Sequence, residues 1–172
     1  MKKSICLLMA FIMCFSLASC SSKEEEPTTT DQYLHVAPIL GVKIETEDNA
    51  GFYALTKNGA YTWLETKETG EEKVWSHTGA FCLDMEDTLC KFTREQTGGK
   101  VTLQFTGNVA DYKIYQAPCE EIESDKKQII DEKYLIGSNS PTIVFPESGK
   151  YYYVVDVTYF EGQVPYGFML AE

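Results

Sequence analysis

Chemistry-bearing residues are scarce in this chain of 172 residues. It has two histidines, His35 and His77, too few and too scattered to build a zinc site or a general-base relay. No Gly-x-Ser-x-Gly and no Cys-x-x-C stretch is present. Basic residues are outnumbered, 15 Lys+Arg against 26 Asp+Glu, giving a formal charge of −11. No basic stripe with interleaved aromatics occurs, so a phosphate backbone would be repelled and nucleic acid is excluded as a partner. No segment approaches the ~18 consecutive apolar residues of a transmembrane helix. These shortages predict a chain that is not an enzyme and that needs no metal and no cofactor.

The N-terminus carries the clearest pattern. Lys2 and Lys3 precede an apolar run, Ile5 to Leu17, that is too short to span a bilayer. Leu17-Ala18-Ser19-Cys20 follows, with small residues just before a cysteine. This arrangement resembles the lipobox of bacterial lipoproteins. The resemblance implies cleavage of residues 1–19 as a signal peptide, acylation of Cys20 and a mature protein starting there. Loss of Lys2 and Lys3 leaves 13 basic against 26 acidic side chains. So acidic a chain gains nothing from anionic lipid, and the link to the membrane would be the Cys20 lipid, with the protein on the extracytoplasmic face. Residues 20–32 hold Ser, Lys, Glu, Pro and Thr with nothing to bury, and are expected to be a disordered tether.

Of the six cysteines, Cys6 and Cys14 lie in the signal segment and Cys20 takes the lipid. Cys82, Cys90 and Cys119 remain; a Cys82–Cys90 disulfide across a small loop is one outcome and free thiols the other.

From Tyr33 onward, apolar residues recur with period two rather than 3.6. Phe52 to Glu65, with Asn58-Gly59 at its tip, reads as a hairpin. Thr69-Gly70 marks another turn before Lys73 to Ser76. Val101, Leu103 and Phe105 alternate with polar residues as a strand with one buried face. Residues 120–133 are charged, with Ile122, Ile129 and Ile130 as their only aliphatics, and fit either a loop or a short helix. In Tyr151 to Phe160 the odd positions form the core face, which leaves Tyr152 and Phe160 on the opposite face as candidates for an exposed binding surface. Val164, Tyr166, Phe168 and Leu170 close the chain. Short strands at this spacing predict an all-β sandwich.

Glu147-Ser148-Gly149-Lys150-Tyr151-Tyr152-Tyr153 resembles the acidic-x-Gly-x-Tyr-x-Cys stretch of immunoglobulin-like domains. The resemblance implies that Tyr151 is a buried tyrosine-corner residue whose hydroxyl bonds back to the chain. Tyr153 stands where that family has a disulfide cysteine. The expected organisation is therefore a β-hairpin region over 33–98 packed on an immunoglobulin-like antiparallel sandwich over 99–172.

Gly59-Ala60-Tyr61-Thr62-Trp63, Leu83-Asp84, Lys100 to Phe105, Ser148 to Val155 and Gly162 to Phe168 occur in that order. The set resembles a group of small uncharacterised lipoproteins of Gram-positive, clostridia-type gut bacteria. Many of that group have Cys-Gly-x-His-Pro-Leu-Asp where this chain has Thr78-Gly79-Ala80-Phe81-Cys82-Leu83-Asp84, so histidine and proline are missing here. Asp84, Glu86 and Asp87 cluster, but Leu89 stands where a calcium loop needs glycine. The functional expectation is a non-catalytic binding or interaction module at the cell envelope, with an envelope protein or glycan as partner. The competing expectation is a small envelope hydrolase or protease-inhibitor-like protein.

Overall fold

Two sheets, antiparallel except for one short parallel pairing, form the frame of the described residues, and each is built from strands that lie far apart in sequence. The computed structural model describes residues 37–171. The signal segment, Cys20 and the tether expected before Tyr33 lie outside the described residues. The strands are β1 (Gly41–Glu45), β2 (Ala50–Ala54), β3 (Thr56–Lys57), β4 (Tyr61–Thr66), β5 (Glu72–His77), β6 (Cys90–Phe92), β7 (Lys100–Gln104), β8 (Val109–Pro118), β9 (Leu135–Gly137), β10 (Thr142–Val144), β11 (Tyr151–Tyr159) and β12 (Gly162–Leu170). The smaller sheet has the order β10-β7-β1-β2. The larger runs β5-β4-β12-β11-β8-β9, with β3 and β6 also pairing β12, β6 in parallel.

The order β10-β7-β1 is that of strands E, B and A of an immunoglobulin-like sandwich, and β9-β8-β11-β12 is that of C′, C, F and G. The fold is thus the all-β sandwich expected, but the boundary expected at residue 98 is not where the frame divides. Strand A is β1, from the region before 98, and β2 to β6 are an insertion between A and B that extends both sheets. β2 adds to the edge at β1, while β3, β4 and β6 all pair with β12.

The hairpin expected across Asn58-Gly59 does not form. β2 pairs with β1, and β4 pairs with β5 across the turn at Gly70, whose φ of 81° needs a glycine. Gly59 serves a close approach instead. A Cβ there would sit 2.8 Å from the Cα of Gly79, and Gly59 N–H donates to the Ala80 carbonyl at 2.9 Å.

The core between the sheets contains Val42, Ile44, Val101, Leu103, Ile143, Tyr153, Val155, Val157, Val164 and Phe168. Tyr153 stacks on Phe168 with ring centroids 4.7 Å apart and planes 4° from parallel. Phe168 is the cross-strand neighbour of Tyr153 in the same sheet, and Phe145, directly after β10 of the other sheet, meets the Tyr153 ring at 5.4 Å, so an aromatic contact spans the sheets where that family has a disulfide.

A second core lies on the outer face of the larger sheet. There Tyr115, Ala117, Tyr152 and Val154 are covered by Phe81, Cys82, Leu83, Leu89, Ile122, Ile129 and Tyr134. The covering layer consists of 3₁₀ turns at Cys82–Asp84, Lys126–Ile130 and Glu132–Tyr134 and the single helical turn α2 (Cys119–Ile122); α1 (Arg94–Thr97) caps elsewhere. Residues 120–133 are therefore neither a plain loop nor one helix. They form a folded cap whose Ile122 and Ile129 are fully buried.

Candidate interaction surface

Tyr152 does not belong to an exposed surface. It is 5% exposed, its ring lies under the cap, and its hydroxyl donates to Glu123 Oε2 at 3.2 Å. The Lys126 ammonium sits 5.3 Å from the same ring and bonds Glu86 Oε1 at 3.2 Å. Phe160, in contrast, is 76% exposed at the tip of the β11–β12 turn.

Tyr151 starts β11, where a corner tyrosine belongs, but it is only half-buried. Its ring lies against Gly149, at φ 91°, and among the described residues its hydroxyl makes no hydrogen bond. The tying role falls to other tyrosines. Tyr166 Oη donates to the Pro38 carbonyl at 2.6 Å and lies 3.1 Å from Tyr159 Oη, while Tyr61 Oη accepts from Ala37 N–H at 3.3 Å. Thr106 Oγ1 holds the Ile39 carbonyl, and Leu55 N–H donates to the Leu40 carbonyl at 2.8 Å. Residues 37–40 are thus fixed one after another at the end of the sandwich that carries Phe160. Pro38 touches Gly107, and the neighbouring Asn108 carbonyl accepts from Phe160 N–H.

Cys82 and Cys90 are not bridged; they and Cys119 are free thiols. The larger sheet lies between them. Cys82 packs in the outer core, over Gly167, while Cys90 packs against the inner core and donates from Sγ to the Ala54 carbonyl at 2.9 Å. Burial pushes the Cys82 thiol up to about 12 and Cys119 to about 11, and raises Cys90 as well. Thiols held protonated in this way are poor nucleophiles.

Asp84, Glu86 and Asp87 line an open depression of about 460 Å³ with Ala80, Met85 and Thr88. Glu86 is already engaged by Lys126. Among the described residues no group of three or more His, Cys, Asp and Glu side chains is placed to hold a metal ion. His77 stacks on Tyr61 at 4.3 Å, and its buried Nε2 has no hydrogen-bond partner among the described residues.

The sheet edges among the described residues are β10 and β2 in the smaller sheet and β5 and β9 in the larger, and they differ; at β2 the Ala54 carbonyl accepts from Cys90 Sγ. β10 is three residues long, and Ser140 Oγ satisfies both the N–H and the carbonyl of Thr142 beside it. β9 is also three residues long and is bulged against β8. Between them a cleft of about 270 Å³ is lined by Ile114, Ile136, Ile143 and Val144. β5 is six residues long and unbroken, and among the described residues it pairs only with β4.

The β4–β5 hairpin also overhangs the sandwich. β12 pairs with β4 only at Thr62 and Trp63, with Leu64 N–H bonding the Glu161 carbonyl at 2.6 Å. The hairpin from residue 65 to residue 73 therefore runs on past the β11–β12 turn. Val74 lies on its outer face, 62% exposed. Lys73 packs over Trp75 at 3.6 Å, and Trp75 Nε1 donates to Glu65 at 3.0 Å, which stiffens the pair of strands.

The long β5 edge had no signal of its own in the sequence. Glu72 to His77 reads as an ordinary short strand, and only the sheet order reveals that no described strand lies on its far side. No protein-family model matches the chain, and no curated protein or solved structure matches it.

Proposed function

We infer that this chain is a lipid-anchored, extracytoplasmic binding module of the cell envelope, without catalytic activity of its own. The observation that carries the binding reading is the overhanging β4–β5 hairpin, whose β5 pairs only with β4 among the described strands and whose Val74 is exposed, as is Phe160 at the β11–β12 turn. An open edge and uncovered apolar side chains favour association with a partner, here an envelope protein or glycan. Thiols kept protonated by burial favour a binder over a thiol hydrolase. The anchor rests on Leu17-Ala18-Ser19-Cys20 and on the resemblance to small clostridia-type lipoproteins.

Two measurements test this reading. Cys20→Ala should move the protein from the membrane fraction to the soluble fraction, and a variant that still sediments wholly with membranes removes the anchor. The full-length chain should be retained by immobilised envelope proteins or cell-wall glycans, and Phe160→Asp with Val74→Asp should weaken retention at least tenfold. Absence of retention on every such matrix removes the binding reading.

A further inference from the structure

We propose that the open edge of β5 takes up an extended, basic segment of another protein as an additional β-strand. The proposal rests on the binding-module reading and names both the surface and the chemistry of the partner.

The hydrogen-bonding phase of the hairpin identifies the free groups. Leu64 N–H points to Glu161, away from β5, so the even residues of β4 face β12 and the odd residues face β5. In register, Tyr61, Trp63 and Glu65 stand opposite His77, Trp75 and Lys73. Those three β5 residues therefore bond inward. Glu72, Val74 and Ser76 turn their N–H and carbonyl groups outward, where no described strand lies. Six residues give an edge of about 20 Å, long enough to pair a strand of ordinary length. Of the other edges, β9 and β10 are three residues long, and at the five-residue β2 the Ala54 carbonyl is already taken by Cys90 Sγ.

Charge selects the occupant. The hairpin carries Glu65, Glu68, Glu71 and Glu72 against Lys67 and Lys73. Lys67 is paired with Glu71 at 3.0 Å, and Lys73 lies on the Trp75 ring. Glu68 and Glu72 have no ion pair among the described residues. An incoming strand bearing lysine or arginine at alternate positions meets these carboxylates, while its backbone pairs with Glu72, Val74 and Ser76. A second copy of this acidic chain, at −11, is disfavoured by the same charge. The stacking and hydrogen bonds of Trp75, Lys73 and Glu65 hold the edge in its extended form beforehand, which lowers the ordering cost of adding a strand.

The test uses the full-length chain and a synthetic peptide matching β5 in length, with lysine alternating with β-branched residues. A counterpart with glutamate in place of lysine is the control. The lysine peptide should bind at least tenfold more tightly than the glutamate peptide, with amide shifts centred on Glu72, Val74 and Ser76 and affinity falling as salt rises. Ser76→Pro removes one outward N–H without touching the β4 ladder, and it should abolish binding while Ser76→Ala leaves it intact. Val74→Lys, at an exposed position, should weaken binding of the lysine peptide in a chain whose fold is undisturbed. Equal affinity for both peptides, no binding of either, binding insensitive to Ser76→Pro and Val74→Lys, or sedimentation showing β5-dependent self-association instead would each overturn the proposal. If both variants remain on envelope matrices as well as wild type does, the strand-edge proposal fails while the binding-module reading stands.

Discussion

The two faces of β11 bury similar side chains for different reasons. Its inner face, with Tyr153, Val155, Val157 and Tyr159, meets the opposing sheet, as in any two-layer sandwich. Its outer face, with Tyr152, Val154 and Asp156, would meet water in a plain sandwich. Here it meets a cap assembled from residues 81–89 and 119–134. The inner face is closed by sheet-on-sheet packing of large rings. The outer face is closed by short turns that must come very near the strands. Gly167 permits this: a Cβ there would lie 2.7 Å from Leu83 Cδ2 and 3.0 Å from Cys82 Sγ. The outer core also includes polar groups. Asp156 is 8% exposed, its Oδ2 accepts from Gln163 Nε2 at 2.7 Å, and its buried Oδ1 has no hydrogen-bond partner among the described residues.

Substitutions should separate the two faces by size of effect. Tyr153→Ala, on the inner face, removes a fully buried ring stacked on Phe168 and should cost about 3–5 kcal/mol, read as a fall in denaturant midpoint. Gly167→Val, on the outer face, forces Leu83 and Cys82 off the sheet and should cost about 1–3 kcal/mol. Hydrogen exchange should then quicken in 81–89 and 119–134 while β1 and β7 keep their protection. An equal loss of protection in both sheets would mean that the cap is not a separable layer. Tyr152→Phe leaves the ring in place and removes the bond to Glu123, an effect of about 1 kcal/mol by thermal melting.

Asp156 gives the outer face a pH signature. Burial holds its carboxyl above the usual carboxylate range, with the Gln163 hydrogen bond and the Lys113 charge opposing the shift in part. The folded chain therefore binds this proton more tightly than the unfolded chain does. Its contribution to stability is fully present below the unfolded carboxylate value and is lost as pH rises through the folded one. Asp156→Asn should raise the melting temperature at neutral pH, and the gain should shrink on acidification toward the ordinary carboxylate range. A gain independent of pH would show that Asp156 is not buried as a titrating group. Tyr151→Phe should have the smallest effect of the set, since its hydroxyl has no partner among the described residues.

What the sequence made legible follows the same division. Alternation in Val101–Phe105 and along β11 and β12 revealed the inner core, because each strand presents one apolar face to a facing sheet. The outer core stayed hidden because no single segment announces it. Ile122 and Ile129 are sparse apolar residues in a highly charged stretch, and they complete a surface whose other half is Phe81 to Leu89. Strict alternation then makes Tyr152 look solvent-facing when a cap covers it. Asn58-Gly59 looked like a hairpin tip because the pair suits a tight turn, yet this glycine is there for the contact with Gly79. Strand A was missed as part of the sandwich because the whole β2–β6 insertion separates it from strand B. Of the candidate surface, Phe160 could be read from strand phase. The β5 edge could not, because an edge is defined by what does not pair with it.

The fixing of residues 37–40 has a mechanical consequence. A pull applied to the chain from its N-terminal side first meets four successive backbone groups, at Ala37, Pro38, Ile39 and Leu40. Their partners are Tyr61 and Tyr166 on the larger sheet, Thr106 just after β7 of the smaller, and Leu55 in the link between the two. Tension is therefore divided between both sheets before it reaches β1. The first strand begins to peel from β7 only after this clasp has given, so three side-chain hydroxyls and one backbone bond at the margin of the domain bear load ahead of the β1 ladder and the hydrophobic interior.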